Sequence, residues 1–453
     1  MLRRKLYDRL VRWKREQSGK TALLVEGARR VGKSTLVKDF GRNEYSSCLF
    51  IDFFQAPREV KEYFEDYRTD FDTLFLYLST YYGVDLHERD TLVVFDEVQM
   101  FPLARGLIKY LVADGRYDYI ETGSLLSIRQ NVADIVIPSE EEAIELNPLD
   151  FEEFLWGMGE DRLGDLIRRQ FADLIPLPDG LHRRAMGLLR EYLLVGGMPE
   201  PVSIYIEQRK FAPVDRVKRR IIDLYRNDVA RFAGGYEFKV VSVLDGIPGQ
   251  LSKHEKKFVL SSLDKSARMR TYEEAFFWLS DARIANICFA ASDPSVGLSL
   301  SLERSSLKCY LADTGLLVSL AFANAESTEE TVYRAVLRGE IGINEGMLVE
   351  NLVAQTLHAN GHGLFFYSES GKRKNEERME IDFLIVRPYA DAAMKPRVCP
   401  VEVKSPKQYG TTSLDRFKKK FGTHVGMQYV LHPKQMKVER DRIYVPLYMG
   451  FCL

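Results

Sequence analysis

The chain has 453 residues, of which 45% are hydrophobic, 28% charged and 11% aromatic. This is enough apolar material for more than one core and excludes wholesale disorder. Lys+Arg 64 against Asp+Glu 65 leaves a formal net charge of -1, which excludes a uniformly basic nucleic-acid coat but not one basic face.

Apolar Leu6, Leu10, Val11 and Trp13 at helical spacing predict a helix from Leu6 to Glu16, stopped by Ser18-Gly19. A short apolar run, Thr21 to Val25, reads as a strand. Gly27-Ala28-Arg29-Arg30-Val31-Gly32-Lys33-Ser34, continued by Thr35, then matches the phosphate-loop pattern G-x-x-x-x-G-K-[S/T] in full. The glycines permit backbone angles that a side chain would block, so successive N–H groups can turn inward around phosphates. Lys33 is placed to reach the β- and γ-phosphates of ATP, Ser34 to ligate Mg²⁺, and the following helix adds its positive N-terminal end.

Cys48 to Phe53 reads as another strand. Thr91-Leu92-Val93-Val94-Phe95 has the unbroken apolar character of a strand buried on both faces, and it ends in Asp96-Glu97. Acids at the C-terminal edge of a parallel sheet lie where ligands bind. Asp96 is the second candidate metal residue and Glu97 the candidate general base for an attacking water. Tyr117 to Ser124 and Ala133 to Pro138 complete the expected sheet, giving a three-layer α/β core.

These features resemble an AAA+-type ATPase. More narrowly, the chain is similar to a prokaryotic family of predicted ATPases carrying a C-terminal domain of unknown function. The resemblance rests on Glu26–Ser34, Val94-Phe95-Asp96-Glu97-Val98-Gln99, Thr122-Gly123-Ser124, Leu146–Phe154, Tyr192–Pro199 and Leu311–Leu316. It implies a Walker A and Walker B ATPase core over residues 1–150 and a helical lid over 151–235. A winged-helix-like domain of the kind that often binds DNA would follow over 236–335, and a nuclease-like domain over 336–453. It also implies a polar γ-phosphate sensor on the strand beside the acidic one, for which Ser124 is the first candidate and Thr122 the second. The Asn147-Pro148-Leu149 turn closes the core.

In the middle of the chain Lys218-Arg219-Arg220, with Arg216, Arg226 and Arg231 nearby, is a basic run on a helix. It reads as a solvated face, a phosphate sensor or a nucleic-acid contact. Ser299–Leu302 and Lys308–Leu311 read as strands.

In the tail, Val349, Leu352, Val353, Thr356 and Leu357 form an amphipathic stripe on a helix from Glu345 to Leu357 that also carries Glu350. Two strands follow, Glu380–Val386 and Val398–Lys404, and then a helix, Ser413–Phe421, with Lys418-Lys419-Lys420. Glu402 and Lys404 share a strand face, and Asp382 on the neighbouring strand can join Glu402 in an oxygen-ligand metal site. Lys404 would orient water and Glu350 would contribute from the helix. This resembles the PD-(D/E)xK restriction-endonuclease-like fold, with Ile381 where a proline leads the usual motif. The reaction implied is metal-assisted phosphodiester hydrolysis. The alternative is a nucleotide-dependent switch with little turnover and a non-cleaving tail. ATP, DNA and a second copy of the chain are the expected partners.

Other classes drop out. Cys48, Cys288, Cys309, Cys399 and Cys452 are scattered with no C-x-x-C pair, so neither a disulfide framework nor a cysteine zinc site is expected. His358-x-x-x-His362 is cut by Asn360-Gly361. No apolar run approaches the ~18–20 residues that span a bilayer, and no secretory apolar segment follows the basic start, so a cytoplasmic setting without membrane contact is expected. The acidic stretch Glu140-Glu141-Glu142 helps to offset the basic clusters.

Overall fold

Strands with no polar face demand a cover on both sides, and the N-terminal third supplies it. The computed structural model describes residues 2–17, 19–123, 139–253, 256–263, 268–294, 297–322, 328–338, 340, 345–369, 379–387, 397–405 and 410–453. The chain divides into two compact units, Met1–Asn147 and Pro148–Leu453.

In the first unit, β1 (Ala22–Glu26), β2 (Ser47–Asp52), β3 (Thr91–Asp96), β4 (Asp118–Thr122) and β5 (Glu141–Glu145) form one parallel sheet in the order β2-β3-β4-β1-β5. Every residue of β1, β3 and β4 is buried. Helices α1 (Lys5–Gln17), α2 (Lys33–Glu44), α3 (Arg58–Asp66), α4 (Phe71–Tyr82) and α5 (Pro102–Asp114) accompany it. Phe95, just before the acidic pair, packs against Phe53 and Phe64 with ring centroids 5.6 and 5.7 Å apart. Such pairs add about 0.5–1.5 kcal/mol each beyond area burial, and here they anchor the strand end that presents Asp96.

The strand expected at Ala133–Pro138, and Ser124, lie outside the described residues. The fifth described strand is instead the acidic stretch, Glu141–Glu145, at the sheet edge beside β1. A charged run can be a strand here because Glu141 pairs with buried Arg105 of α5 at 2.8 Å, while Ile144 enters the core.

The second unit opens with α6 (Phe151–Gly157), started by a reciprocal cap: Glu153 N donates to Asp150 Oδ1 at 2.9 Å and Asp150 N to Glu153 Oε2 at 3.1 Å. The helices α7 (Asp161–Asp173), α8 (Asp179–Val195), α9 (Pro199–Gln208), α10 (Phe211–Phe232), α11 (Glu237–Leu251) and α12 (Met269–Asp281) follow. Then come β6 (Ala285–Ala291), β7 (Leu302–Leu311), α13 (Thr314–Ala321), α14 (Glu330–Leu337), α15 (Glu345–Ala359), β8 (Phe365–Glu369), β9 (Met379–Arg387), β10 (Arg397–Val403), α16 (Thr412–Phe421), β11 (Gln428–His432), β12 (Lys437–Glu439) and β13 (Arg442–Pro446).

All eight strands join in one sheet, β12-β13-β11-β10-β9-β8-β6-β7. The strand expected at Lys308–Leu311 lies in β7 and therefore shares a sheet with the strands of the tail. Leu298–Ser301 is a short 3-10 turn rather than strand, with Leu300 exposed. The stripe expected on α15 is a helix buried on all sides from Met347 to Leu357. Its polar residues are matched: Asn351 Oδ1 accepts from Leu311 N at 2.8 Å, and Gln355 Oε1 from Thr314 N at 3.0 Å.

The basic run of α10 is divided: Lys218 is buried and Arg219 half-buried, whereas Arg216, Arg220 and Arg231 are exposed. Lys218 is fully buried and donates to Leu194 O at 2.6 Å; burial lowers its pKa to about 8 against the opposing pull of Asp215. Arg219 pairs with Asp215 at 2.7 Å, Arg226 with Asp245 at 2.9 Å, and Arg220 with Glu200.

One backbone node ties α8 to α13. Asp313 accepts from Gly197 N and, at 2.9 Å, from Leu316 N. The approach needs glycine: a Cβ on Gly315 would lie 2.3 Å from Val195 O and 2.6 Å from Gly196 Cα. Gly315→Ala should therefore cost about 1–3 kcal/mol of stability, read as a lower urea midpoint at unchanged slope; an unchanged midpoint would show that the two helices can separate freely.

Candidate functional site

The phosphate loop follows β1 and delivers the chain into α2. Gly27 has φ +151°, and a Cβ there would meet Leu146 O at 2.4 Å, so glycine is required on conformation and space alike. Gly32, at φ +99°, caps α2. Ala28 and Val31 are buried, whereas Arg29 and Arg30 are exposed at the loop's tip, and Thr35 lies one residue into the helix beyond Ser34. Buried Arg4 braces the loop from behind, donating to Val31 O at 3.1 Å and to Asn147 O. Its role escaped the sequence reading because a basic N-terminus looks solvated.

Lys33 is buried and its ammonium folds over the loop, donating to Gly27 O at 2.9 Å and Ala28 O at 3.1 Å. Burial lowers its pKa, against the pull of Glu97 and Asp96. Ser34 Oγ donates to Asp96 Oδ1 at 2.8 Å. Thr122 Oγ1 donates to the same oxygen and accepts from Glu97 N at 3.4 Å. So the loop, the acidic strand and the strand between them meet in one cluster. Thr122, the second choice for a sensor, is the residue found in it; Ser124 lies outside the described residues. A hydroxyl and a carboxylate are hard oxygen donors and fit Mg²⁺, with Ser34 and Asp96 as the residues that would hold it.

Glu97 has φ +52° and ψ +47°, the left-handed region, and its carboxylate accepts from Gln99 Nε2. A non-glycine residue there stores strain of the kind found at active sites.

The four tail residues each have partners of their own. Glu350 accepts from Lys256, Tyr310 and, at 3.3 Å, Lys308. Burial would raise its pKa, but Lys308 and Lys256 bring it down to about 2. Asp382 Oδ2 accepts from Val403 N at 2.8 Å, and Glu402 pairs with Lys404 at 2.9 Å. Among the described residues, no group of three or more His, Cys, Asp or Glu side chains is placed to hold a metal ion. The sequence reading missed Lys308, which stands between Glu350, Glu380 and Asp382. Its carboxylate partners lie far along the chain, on α15 and β9, so the sequence offered no signal.

Comparison with known proteins fits this geometry. Residues 19–155 match the family described as AAA domain. Residues 186–327 and 345–449 match two domains of unknown function, DUF8612 and DUF4143. A search of curated proteins found no match. Among solved structures, a Walker-type ATPase of Pyrococcus abyssi is 14% identical over 71% of this chain and 96% of its own, with a TM-score of 0.41. The Aeropyrum pernix ORC1 protein in complex with DNA is 11% identical over 70% of this chain and 92% of its own, with a TM-score of 0.27. Residues 19–155, which include the phosphate loop and the acidic strand, are thus similar to an AAA domain.

Two outcomes follow. Glu97→Gly should raise stability by about 1 kcal/mol, because it removes the left-handed strain; a lower melting temperature would mean that the Glu97 side chain holds the turn together. Burial, aided by Asp382 and opposed by Lys404, pushes the Glu402 carboxyl from 4.5 up to about 7. The folded chain then keeps a proton that the unfolded chain loses, so this group's contribution to stability falls as pH rises from about 4.5 to 7 and is flat above that. Glu402→Gln should flatten that slope in urea unfolding measured across the window; an identical slope would contradict it.

Proposed function

We propose that the protein is a Mg²⁺-dependent ATPase of the AAA+ type, in which the nucleotide state of the N-terminal unit controls what the C-terminal unit binds. The single observation that carries this is the joining of Ser34, Asp96 and Thr122 at the end of the phosphate loop. In this reading the loop N–H groups from Gly27 to Thr35 cradle the phosphates. Lys33 exchanges its two carbonyl acceptors for β- and γ-phosphate oxygens. Glu97, released from Gln99, takes a proton from water as the water's oxygen attacks the γ-phosphorus in line and ADP departs. Bound Mg²⁺ would supply neutralisation of the phosphate charge. Thr122 keeps Asp96 oriented.

The hold of Gln99 on Glu97 also favours a slow enzyme. The second reading, a switch with rare turnover and a non-cleaving tail, draws on that bond and on the ion pairing of the tail's acids. DNA is the expected partner of the C-terminal unit. The pairing of Lys218, Arg219, Arg220 and Arg226 within that unit supports it less than the bare sequence did.

ATP turnover by purified protein is the test. Lys33→Ala should lower affinity and turnover together, whereas Glu97→Gln should keep ATP bound and reduce turnover by about 10²-fold or more. Equal rates in wild type and both variants would remove the ATPase reading. A burst of one turnover per chain followed by stalling would select the switch.

A further inference from the structure

The tail's acids were expected to gather a divalent metal, and the structure puts a different cation among them. Lys308 of β7 has no solvent exposure. Its Nζ lies 3.0 Å from Glu380 Oε1, 3.3 Å from Glu350 Oε1 and 3.8 Å from Asp382 Oδ1, and 5.0 Å over the Phe366 ring. A buried ammonium loses several kcal/mol of hydration and persists only where anions replace the water. Burial disfavours its charge, yet Glu350, Asp382 and Glu380 hold its proton well above the ordinary lysine range.

A second ammonium, Lys256, bonds Glu350 and donates to Gly346 O at 2.9 Å. Lys404 bonds Glu402. Four carboxylates therefore face three lysines. Both Lys256 and Lys308 come from the stretch matched as one domain, 186–327, and enter acids of the other, 345–449.

We infer that Lys308 fills, as an internal ammonium, the place that a divalent cation would take among Glu350, Glu380 and Asp382, so that the C-terminal unit is closed to metal and does not cut phosphodiesters. A dication entering this cluster would meet a fixed positive charge in contact with every carboxylate it needs. Hard cations also require several oxygen ligands at once, and here both Glu350 oxygens, Glu380 Oε1 and Asp382 Oδ2 already face donors. The residues do not fit the metal implied by the nuclease resemblance. This inference is independent of ATP hydrolysis in the other unit, and its readout is metal binding.

The test is Mn²⁺ titration of the full chain without nucleotide, followed by electron paramagnetic resonance. Wild type should show no bound Mn²⁺ that Asp382→Asn removes. Lys308→Met should gain one site, bound at least about tenfold more tightly than anything in wild type, and adding Asp382→Asn should abolish it. Mn²⁺ should also raise the melting temperature of Lys308→Met but not of wild type. If Lys308→Met does not fold, Lys308→Met with Glu350→Gln, which removes one anion with the cation, carries the same comparison. Mn²⁺ binding by wild type that depends on Asp382 would overturn the inference, as would failure of both Lys308 variants to gain a site.

Discussion

The bonds that meet on Asp96 Oδ1 are what make one site from three separate strands. The phosphate loop leaves β1, and the acidic pair leaves β3, but β4 lies between them in the sheet. Without a bridge, the carboxylate and the loop would each face the sheet edge independently. Thr122, at the end of β4, donates to Asp96 and receives the N–H of Glu97, while Ser34 reaches Asp96 from α2. The oxygen that would bind metal is thereby held at a fixed place relative to the loop. Preorganisation of this kind lets charged groups act without reorganising during reaction. Arg4 braces the other side of the loop through the carbonyl of Val31 and ties it to that of Asn147, so the loop is held from both sides before any phosphate enters.

The second unit obeys the same constraint with different groups. Burying an ion is affordable only with a partner, and its buried ions come in matched sets. Asp215 receives Arg219, Ser319, Tyr333 and the N–H of Thr328. Lys218, beside them, donates to a carbonyl, and burial lowers its pKa against the pull of Asp215 and Asp313. Asp313 is bonded to backbone N–H groups instead, which suits an acid at a helix start. Lys308 is the extreme case, with three carboxylates around one ammonium.

The first unit was readable because its signals are local. A phosphate loop needs its glycines at fixed spacing, and a doubly buried strand needs its unbroken apolar run, so Gly27–Thr35 and Thr91–Glu97 declared themselves. What was not readable depended on partners distant in sequence. Glu140-Glu141-Glu142 was read only as acidic charge offsetting basic clusters, since nothing nearby showed that Arg105 would meet Glu141 in a strand. The run at Lys218–Arg220 looked like an exposed basic face because Asp215, Glu200 and Leu194 become its partners only in the folded unit. The tail shows the same limit more sharply. The spacing of Glu402 and Lys404 indicated a shared face, but not that Glu402 would be satisfied by Lys404, or that a lysine about 40 residues before Glu350 would enter the cluster.

A net charge of -1 therefore has a more specific meaning than an average over unlike domains. Arg105 with Glu141, Arg168 with Glu152, Arg219 with Asp215, Lys308 with its three acids and Lys404 with Glu402 are neutralised pair by pair, most of them out of water. Breaking one such pair strands a buried charge and costs about 3–5 kcal/mol, far more than a surface pair is worth. Charge in this chain is consequently a constraint on packing before it is a means of attracting partners. The nucleotide site is the exception that gives the rule its use. There Lys33 rests on the carbonyls of Gly27 and Ala28 rather than on a carboxylate, so its positive charge is available to an anion brought in from outside.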